Sequence, residues 1–304
     1  MASSHIPPQP VIYLVEPFGG SVRRQNANMA HVFWDDAGVT RGDGIFETLL
    51  IRGGEPVNVD KHVSRFRRSA EALDLPDPGV DRWIRAMRQA VEDYYRERGE
   101  GEGERSEAKC VWTMTRGRES TGVPTAWLTV RPIDESIIRQ RETGVTALSS
   151  PRGYTLAHGE NEAPWLKVGA KSLNYTASMA ALRWAASRGA DEVIYVDATD
   201  GRVLEATTSS VIVVRKDKKL RTPAPGPDIV AGTTQRAIFE HADALGYRCK
   251  AKDLYLEDLF AAESVWLVSA VRQAVRVTEL DGRPLAATPE GEREFRALVR
   301  AALD

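Results

Sequence analysis

The stretch Lys171-Ser-Leu-Asn174-Tyr175, entered through Trp165-Leu-Lys-Val-Gly-Ala170, decides how the rest of the chain is read. A lysine stands where an apolar, strand-like run ends and a helix-like run, Asn174 to Arg188, begins. Gly189 follows as a C′ glycine that closes the helix. A lysine at a helix start is ordinarily a surface residue. The setting is what singles this one out: Leu166, Val168, Ala170 and Leu173 around it are apolar or small. A desolvated amine is nucleophilic and suited to Schiff-base chemistry.

Downstream, Glu192 to Val196 has the composition of a strand, Asp200-Gly201 turns the chain, and Arg202-Val-Leu-Glu205 returns. Ala206-Thr-Thr-Ser-Ser210 leads into a strand over 210–214, and Leu220 begins a proline-rich crossing. Gly232-Thr233-Thr234 opens a helix that runs to Leu245 and stops at Gly246. Strands follow over 264–269 and 273–279, then the Asp281-Gly282 turn and a last helix from near Pro289. Upstream, Val11 to Val15 alternates weakly, and Ile45 to Arg52 is a strand closed by a Gly53-Gly54 hairpin. Helices are expected from an Asp60 N-cap through Leu73, and over Val80 to Arg98. Gly99 to Ala108 is a charged, glycine-rich loop, and Cys110–Arg116 and Thr125–Arg131 are strands. Strands and helices without regular βαβ alternation give an α+β fold. The expected division is a first domain over 1–135, a linker over 136–144 and a second domain over 145–304.

The bulk properties narrow the class. The chain has 304 residues, 42% hydrophobic and 28% charged, with a formal net charge of −2. That balance gives no electrostatic case for nucleic acid or an acidic membrane. No run approaches the roughly 20 apolar residues of a membrane span. Met1 to Pro10 is polar and proline-rich, a loose leader and not a signal peptide. Cys110 and Cys249 lie in no metal or redox motif and read as thiols of a reducing cytoplasm. The five histidines have no metal-ligand spacing, so no metal is expected.

Three further positions carry chemistry. Glu205 ends a returning strand, where a glutamate is usually exposed; its functional use would be to keep a pyridine nitrogen protonated. Arg65 lies in His62-Val-Ser-Arg65-Phe-Arg-Arg-Ser69, a run that is usually a solvated helix face but could turn one guanidinium inward onto a phosphate. Thr233 and Thr234 open a helix, whose N-terminal N–H groups and hydroxyls suit a phosphate; alone, Gly-Thr-Thr is also just a capped helix start. A reactive amine, a carboxylate and a hydroxyl-rich cradle are parts that a pyridoxal-phosphate enzyme needs.

The ordered set Arg41-Gly-Asp-Gly-Ile-Phe-Glu-Thr48, His62-Val-Ser-Arg65, Lys171-Ser-Leu-Asn174, Glu205-Ala-Thr-Thr-Ser-Ser210, Gly232-Thr-Thr234 and Val265-Trp-Leu-Val-Ser-Ala-Val resembles the fold type IV pyridoxal-phosphate enzymes. That family holds branched-chain aminotransferases, D-amino-acid aminotransferases and aminodeoxychorismate lyases. The resemblance implies a small N-terminal α+β domain and a larger C-terminal pseudo-barrel domain, with pyridoxal 5′-phosphate as cofactor. It implies Lys171 as the Schiff-base lysine and Glu205 as partner of the pyridine nitrogen. It also implies Arg65, Thr234 and Ser269 or its neighbours as phosphate ligands, and Tyr175 near the cofactor's phenolic oxygen. It further implies a homodimer with a shared active site.

Three departures bear on substrate. Ser210 stands where many members have asparagine, and Arg41 where branched-chain enzymes carry tyrosine. The D-amino-acid enzymes use Arg-x-His after the Thr-Arg-Gly strand; here Thr115-Arg-Gly-Arg118 has no histidine. Arg41 and Arg118 become candidates for substrate carboxylates. The short Lys-Ser-Leu-Asn form, the Arg-Gly-Asp-Gly segment and the Ser-Ala-Val strand resemble the lyase branch, which releases pyruvate to form 4-aminobenzoate. The alternative is a class IV aminotransferase of D-amino-acid or branched-chain type. The same core residues serve both reactions.

Overall fold

The computed structural model describes residues 9–16, 20–154 and 165–304. The expected leader lies outside them except for Gln9 and Pro10. The chain divides into two units. One takes in the chain up to Ile133 together with Lys171–Leu173, and the other Asp134–Ala170 and Asn174–Asp304.

The first unit contains β1 (Val11–Val15), β2 (Val22–Gln25), a one-turn helix α1 (Ala37–Thr40), β3 (Gly44–Arg52), β4 (Glu55–Pro56), α2 (Val59–Ala72), α3 (Val80–Arg98), β5 (Ala108–Thr115) and β6 (Thr125–Pro132). Among the described residues its strands pair in the order β2-β1-β6-β5-β3-β4, antiparallel throughout. Alternation along β3 sends Ile45, Leu49 and Ile51 into the core, all fully buried. Phe66 of α2 meets Trp83 of α3 edge-on at 5.0 Å and Trp112 of β5 at 5.6 Å. Helix α2 begins earlier than expected. Its N-cap is Asn58, held left-handed at φ 54° with no side-chain cap bond, and Asp60 sits in the first turn instead. A carboxylate there still meets the positive end of the helix dipole.

The second unit contains α4 (Glu135–Thr143), β7 (Val145–Pro151), α5 (Thr176–Ala186), β8 (Glu192–Val196), β9 (Val203–Ala206), β10 (Ser210–Arg215), β11 (Lys219–Thr222), α6 (Thr233–Ala244), β12 (Arg248–Ala251), α7 (Leu256–Phe260), β13 (Ser264–Ser269), β14 (Gln273–Leu280), β15 (Arg283–Pro284) and α8 (Pro289–Ala302). Its strands run β12-β11-β10-β13-β14-β7-β8-β9, with β15 on β14. Pairing is parallel at β11–β12, β14–β7 and β7–β8 and antiparallel elsewhere. Val211, Val213, Val265, Leu267, Val275 and Val277 form one apolar face. Trp266 points the other way and stacks on Phe295 of α8 at 4.7 Å.

Residues 132–144, read as a linker with a short helix, contain helix α4, which falls in the second unit and buries none of its residues. The structure corrects two local expectations. Residues 165–170 form turns, not a strand, and Trp165 is 76% exposed. Helix α5 starts at Thr176, two residues later than expected.

Removing the ring at the centre of the aromatic cluster tests the first core. Phe66→Ala should cost about 3–5 kcal/mol, read as a lower urea midpoint by circular dichroism. A change below about 1 kcal/mol would mean that the cluster collapses around the gap.

Candidate active site

In the first unit, Lys171 is held by two elements at once. Its carbonyl accepts the Phe46 N–H at 3.0 Å, its own N–H donates to Ser69 Oγ at 3.1 Å, and Leu173 N–H donates to Gly44 O at 2.8 Å. Ser172 forms an antiparallel bridge with Ile45. The lysine segment is thus bridged to the start of β3. The Nζ atom lies over the Phe46 ring, 4.4 Å from its centroid, a cation–π contact that orients the amine. Leu166, expected beside the lysine, is 43% exposed; in this unit the surroundings come from β3 and α2.

Beside it lies a buried charge network. Glu47 shares the inward row of β3 with Ile45, Leu49 and Ile51 and is fully buried. Arg65 grips it with two bonds, Nε to Oε1 at 2.6 Å and Nη2 to Oε2 at 2.7 Å. His62 Nδ1 lies 2.6 Å from Oε2. Burial pushes the Glu47 carboxyl up, but the charge and hydrogen bonds of Arg65, with His62, outweigh it and hold it at about 2. Burial pushes His62 down; Glu47 opposes this, while Arg65 and Lys171 add to it. Of the three arginines on this helix, Arg65 is buried while Arg67 and Arg68 face solvent.

In the second unit, Glu205 on β9 accepts from Arg152 Nη2 at 3.2 Å and from Val230 N–H at 3.3 Å. Thr233 and Thr234 are buried in the first turn of α6, behind Gly232. A Cβ on Gly232 would stand 2.4 Å from Ser210 Oγ, so the glycine lets the helix start close against β10. Ser210 pairs with Val268 in register, which places it beside Ser269 at the end of β13. Glu205, Ser210, Thr233, Thr234 and Ser269 therefore belong to neighbouring ends of one sheet and one helix. Buried Glu192 accepts from Thr207 and Arg272 and closes the turn behind them.

The remaining candidates are placed differently. Arg41 is exposed, with Glu119 3.6 Å away. Arg118 donates to Asp35 at 2.9 Å and lies over the Phe33 ring at 4.1 Å. Arg118 and Ser120 hold the Asp35 carboxyl at about 2. Arg116, two positions earlier, is committed to Asp43 and to the carbonyls of Leu73 and Asp74. Tyr175 occupies the N-cap position of α5 and is half-buried. Reading the sequence missed Glu47, His62, Ser69 and Arg152. A signal for Glu47 existed: it is the one charged side chain in the row Ile45, Glu47, Leu49, Ile51.

Comparison with known proteins matches the chain to a family. The class IV aminotransferase pattern covers residues 44–280. The chain is 39% identical over 296 residues to the bifunctional aminodeoxychorismate lyase / D-amino acid transaminase of Mycobacterium tuberculosis, over 95% of this chain and 99% of that protein. The solved PLP-bound form of a hypothetical aminotransferase from M. tuberculosis superposes with a TM-score of 0.86 at 39% identity, over 96% of this chain and 98% of that one. A fold IV transaminase from Curtobacterium pusillum gives 0.87 at 36%, over 97% and 99%. The chain belongs to the class IV aminotransferases. It is a pyridoxal-phosphate-dependent enzyme of fold type IV.

The residues present fit that cofactor. In the first unit Lys171 carries an amine of the kind such a cofactor links to; in the second, the close start of α6 against Ser210 offers N–H and hydroxyl donors of the kind a phosphate takes, and Glu205 is a carboxylate. Among the described residues no group of acidic, histidine or cysteine side chains is placed to hold a metal, and no helix is long and apolar enough to cross a membrane.

The Glu47 network sets an acid dependence. Both Glu47 and His62 titrate below their ordinary values, so the unfolded chain takes up protons that the folded state refuses. Their contribution is complete above 6.5. It is lost as pH falls, first through His62 and then through Glu47 between 4.5 and about 2. Urea midpoints measured from pH 7.5 to pH 4 should therefore fall steadily. Glu47→Gln, which removes the carboxylate charge that Arg65 grips with two bonds, should cost about 3–5 kcal/mol at neutral pH. A stability unchanged in the variant would contradict the network.

Proposed function

We propose that the chain is an aminodeoxychorismate lyase-like enzyme that releases pyruvate and forms 4-aminobenzoate. The likeness, over nearly the whole of both chains, to a protein whose name joins the lyase with D-amino acid transamination supports this reading, and the Lys171-Ser-Leu-Asn, Arg41-Gly-Asp-Gly and Ser269-Ala-Val segments tilt it toward the lyase. The second reading, transamination of D-amino acids, is favoured by that same name and by D-alanine aminotransferases from Listeria at 26–27% identity. In this proposal Lys171 and Arg65 of the first unit, and Glu205, Thr233, Thr234 and Ser269 of the second, hold the cofactor, with Tyr175 near its phenolic oxygen.

Each residue then has a task. Bound pyridoxal phosphate supplies an electron sink for the carbon that carries the substrate amine. Glu205 would accept the ring N–H and keep that nitrogen cationic. Arg65 and the first turn of α6 would hold the phosphate. Lys171 Nζ would remove the proton from the amine-bearing ring carbon. In the lyase reaction the enolpyruvyl C–O bond would then break, and aromatisation would make the step irreversible. In transamination the same Nζ would remove the proton from the substrate α-carbon. Arg118, which already meets Asp35, and Arg41, which lies near Glu119, would bind substrate carboxylates.

The product would feed folate synthesis in the cytoplasm. We also propose a homodimer with a shared active site. Phe33, Trp34, Val39 and Val123 on the first unit are 51–81% exposed, the kind of side chains a protein interface covers. Sedimentation should give twice the 33.6 kDa chain mass; a 33.6 kDa species at micromolar concentration would refute the dimer.

A paired assay tests the reaction. Cofactor-loaded protein given aminodeoxychorismate should produce 4-aminobenzoate and pyruvate, with keto acid from D-amino acids followed alongside. Keto acid alone would discard the lyase reading. Lys171→Ala should lower either rate by roughly 10³-fold or more and abolish the visible band of the linked cofactor.

A further inference from the structure

Glu205 is held by more than its own strand. Arg152 follows β7 directly, where β7 lies beside β8, and its N–H donates to Val196 O at 3.1 Å. Its guanidinium passes the Tyr195 ring of β8, 5.6 Å from the centroid, with the Tyr154 ring at 5.8 Å. From there it reaches Glu205 Oε1 on β9 at 3.2 Å. Its other branch donates to the carbonyl of Asp228. Asp228 is in turn fixed by Arg202, whose Nη2 donates to Oδ2 at 2.5 Å. Two residues further on, Val230 N–H donates to Glu205 Oε2 at 3.3 Å. One carboxylate oxygen is thus met by Arg152, and the other by the loop that Arg152 and Arg202 pin. The side chain of Arg152 is only 6% exposed and that of Glu205 17%.

We propose that Arg152 is the positioning residue for Glu205. Its planar fork fixes the carboxylate and the 228–230 loop together, so that Glu205 meets the cofactor's ring nitrogen in one orientation. The inference rests on the reading of Glu205 as that nitrogen's partner. A guanidinium spans two acceptors at a set angle; a lysine ammonium is a point charge and cannot hold both in the same way. Arg152 acts only through Glu205 and the loop.

The test is the visible absorbance of the bound cofactor against pH, in holoenzyme whose folding is checked by circular dichroism. A ring nitrogen without its carboxylate draws less electron density from the lysine linkage, which then keeps its proton to higher pH. Glu205→Gln should therefore raise the spectral midpoint. Arg152→Gln should raise it by less, and Arg152→Lys should fall between Arg152→Gln and the wild type. If Arg152 merely competed for the carboxylate as a charge, its removal would strengthen Glu205 as an acceptor and lower the midpoint. A lowered or unchanged midpoint in Arg152→Gln, with Glu205→Gln raised, overturns the proposal and leaves the role of Glu205 standing. An unchanged midpoint in Glu205→Gln removes that role and the proposal with it. Should Arg152→Gln fail to fold, Arg152→Lys decides alone: a wild-type midpoint overturns the proposal, and a raised one supports it.

Discussion

A carboxylate buried in the middle of a core strand has to be neutralised and hydrogen-bonded where it lies, because the interior cannot solvate it. Glu47 is that carboxylate. Its compensation comes from one face of α2, where His62, Arg65 and Ser69 fall at helical spacing. Two of these residues satisfy Glu47, and the third receives the Lys171 N–H. The rotation of α2 about its own axis is therefore set by an electrostatic demand as well as by Phe66 packing. The backbone of Lys171 is fixed by the same choice. A helix turned by a third of a revolution would strand the charge and release Lys171 from Ser69 together.

The second unit repeats the principle with different partners. Arg152, Glu205, Arg202 and Asp228 tie strand ends to the loop that precedes α6, and Glu192 with Arg272 and Thr207 ties the neighbouring turn. Hydroxyl-rich segments such as Ala206 to Ser210 have little apolar surface to hold them in place. Ion pairs with low exposure give them a defined geometry instead, and a preorganised site needs that more than it needs net stability.

Much of the architecture was legible in the chain. Strand β3, helices α2 and α3, and the segments around Lys171, Glu205 and Thr233 follow from periodicity, turn residues and the order of motifs. The failures have physical causes. Asn58 caps α2 through a left-handed backbone conformation without a side-chain bond, so Asp60 seemed the better cap. Leu166 and Val168 looked like a strand because apolar residues stood in line, yet among the described residues no strand pairs with them.

The sequence by itself determined the family: an ordered set of motifs, with Lys171, Glu205 and a Gly-Thr-Thr helix start among them, along a mixed chain. These depend on residue type and local backbone preference, which a linear reading captures. Only tertiary structure decided which charged residues face inward. Of Arg65, Arg67 and Arg68 just one is buried, and of the residues near Glu205 it is Arg152, across a strand, that reaches it. Such pairings join residues 18 and 53 positions apart. They exist because each buried charge must find its counterpart in space, a condition that no local stretch of sequence expresses.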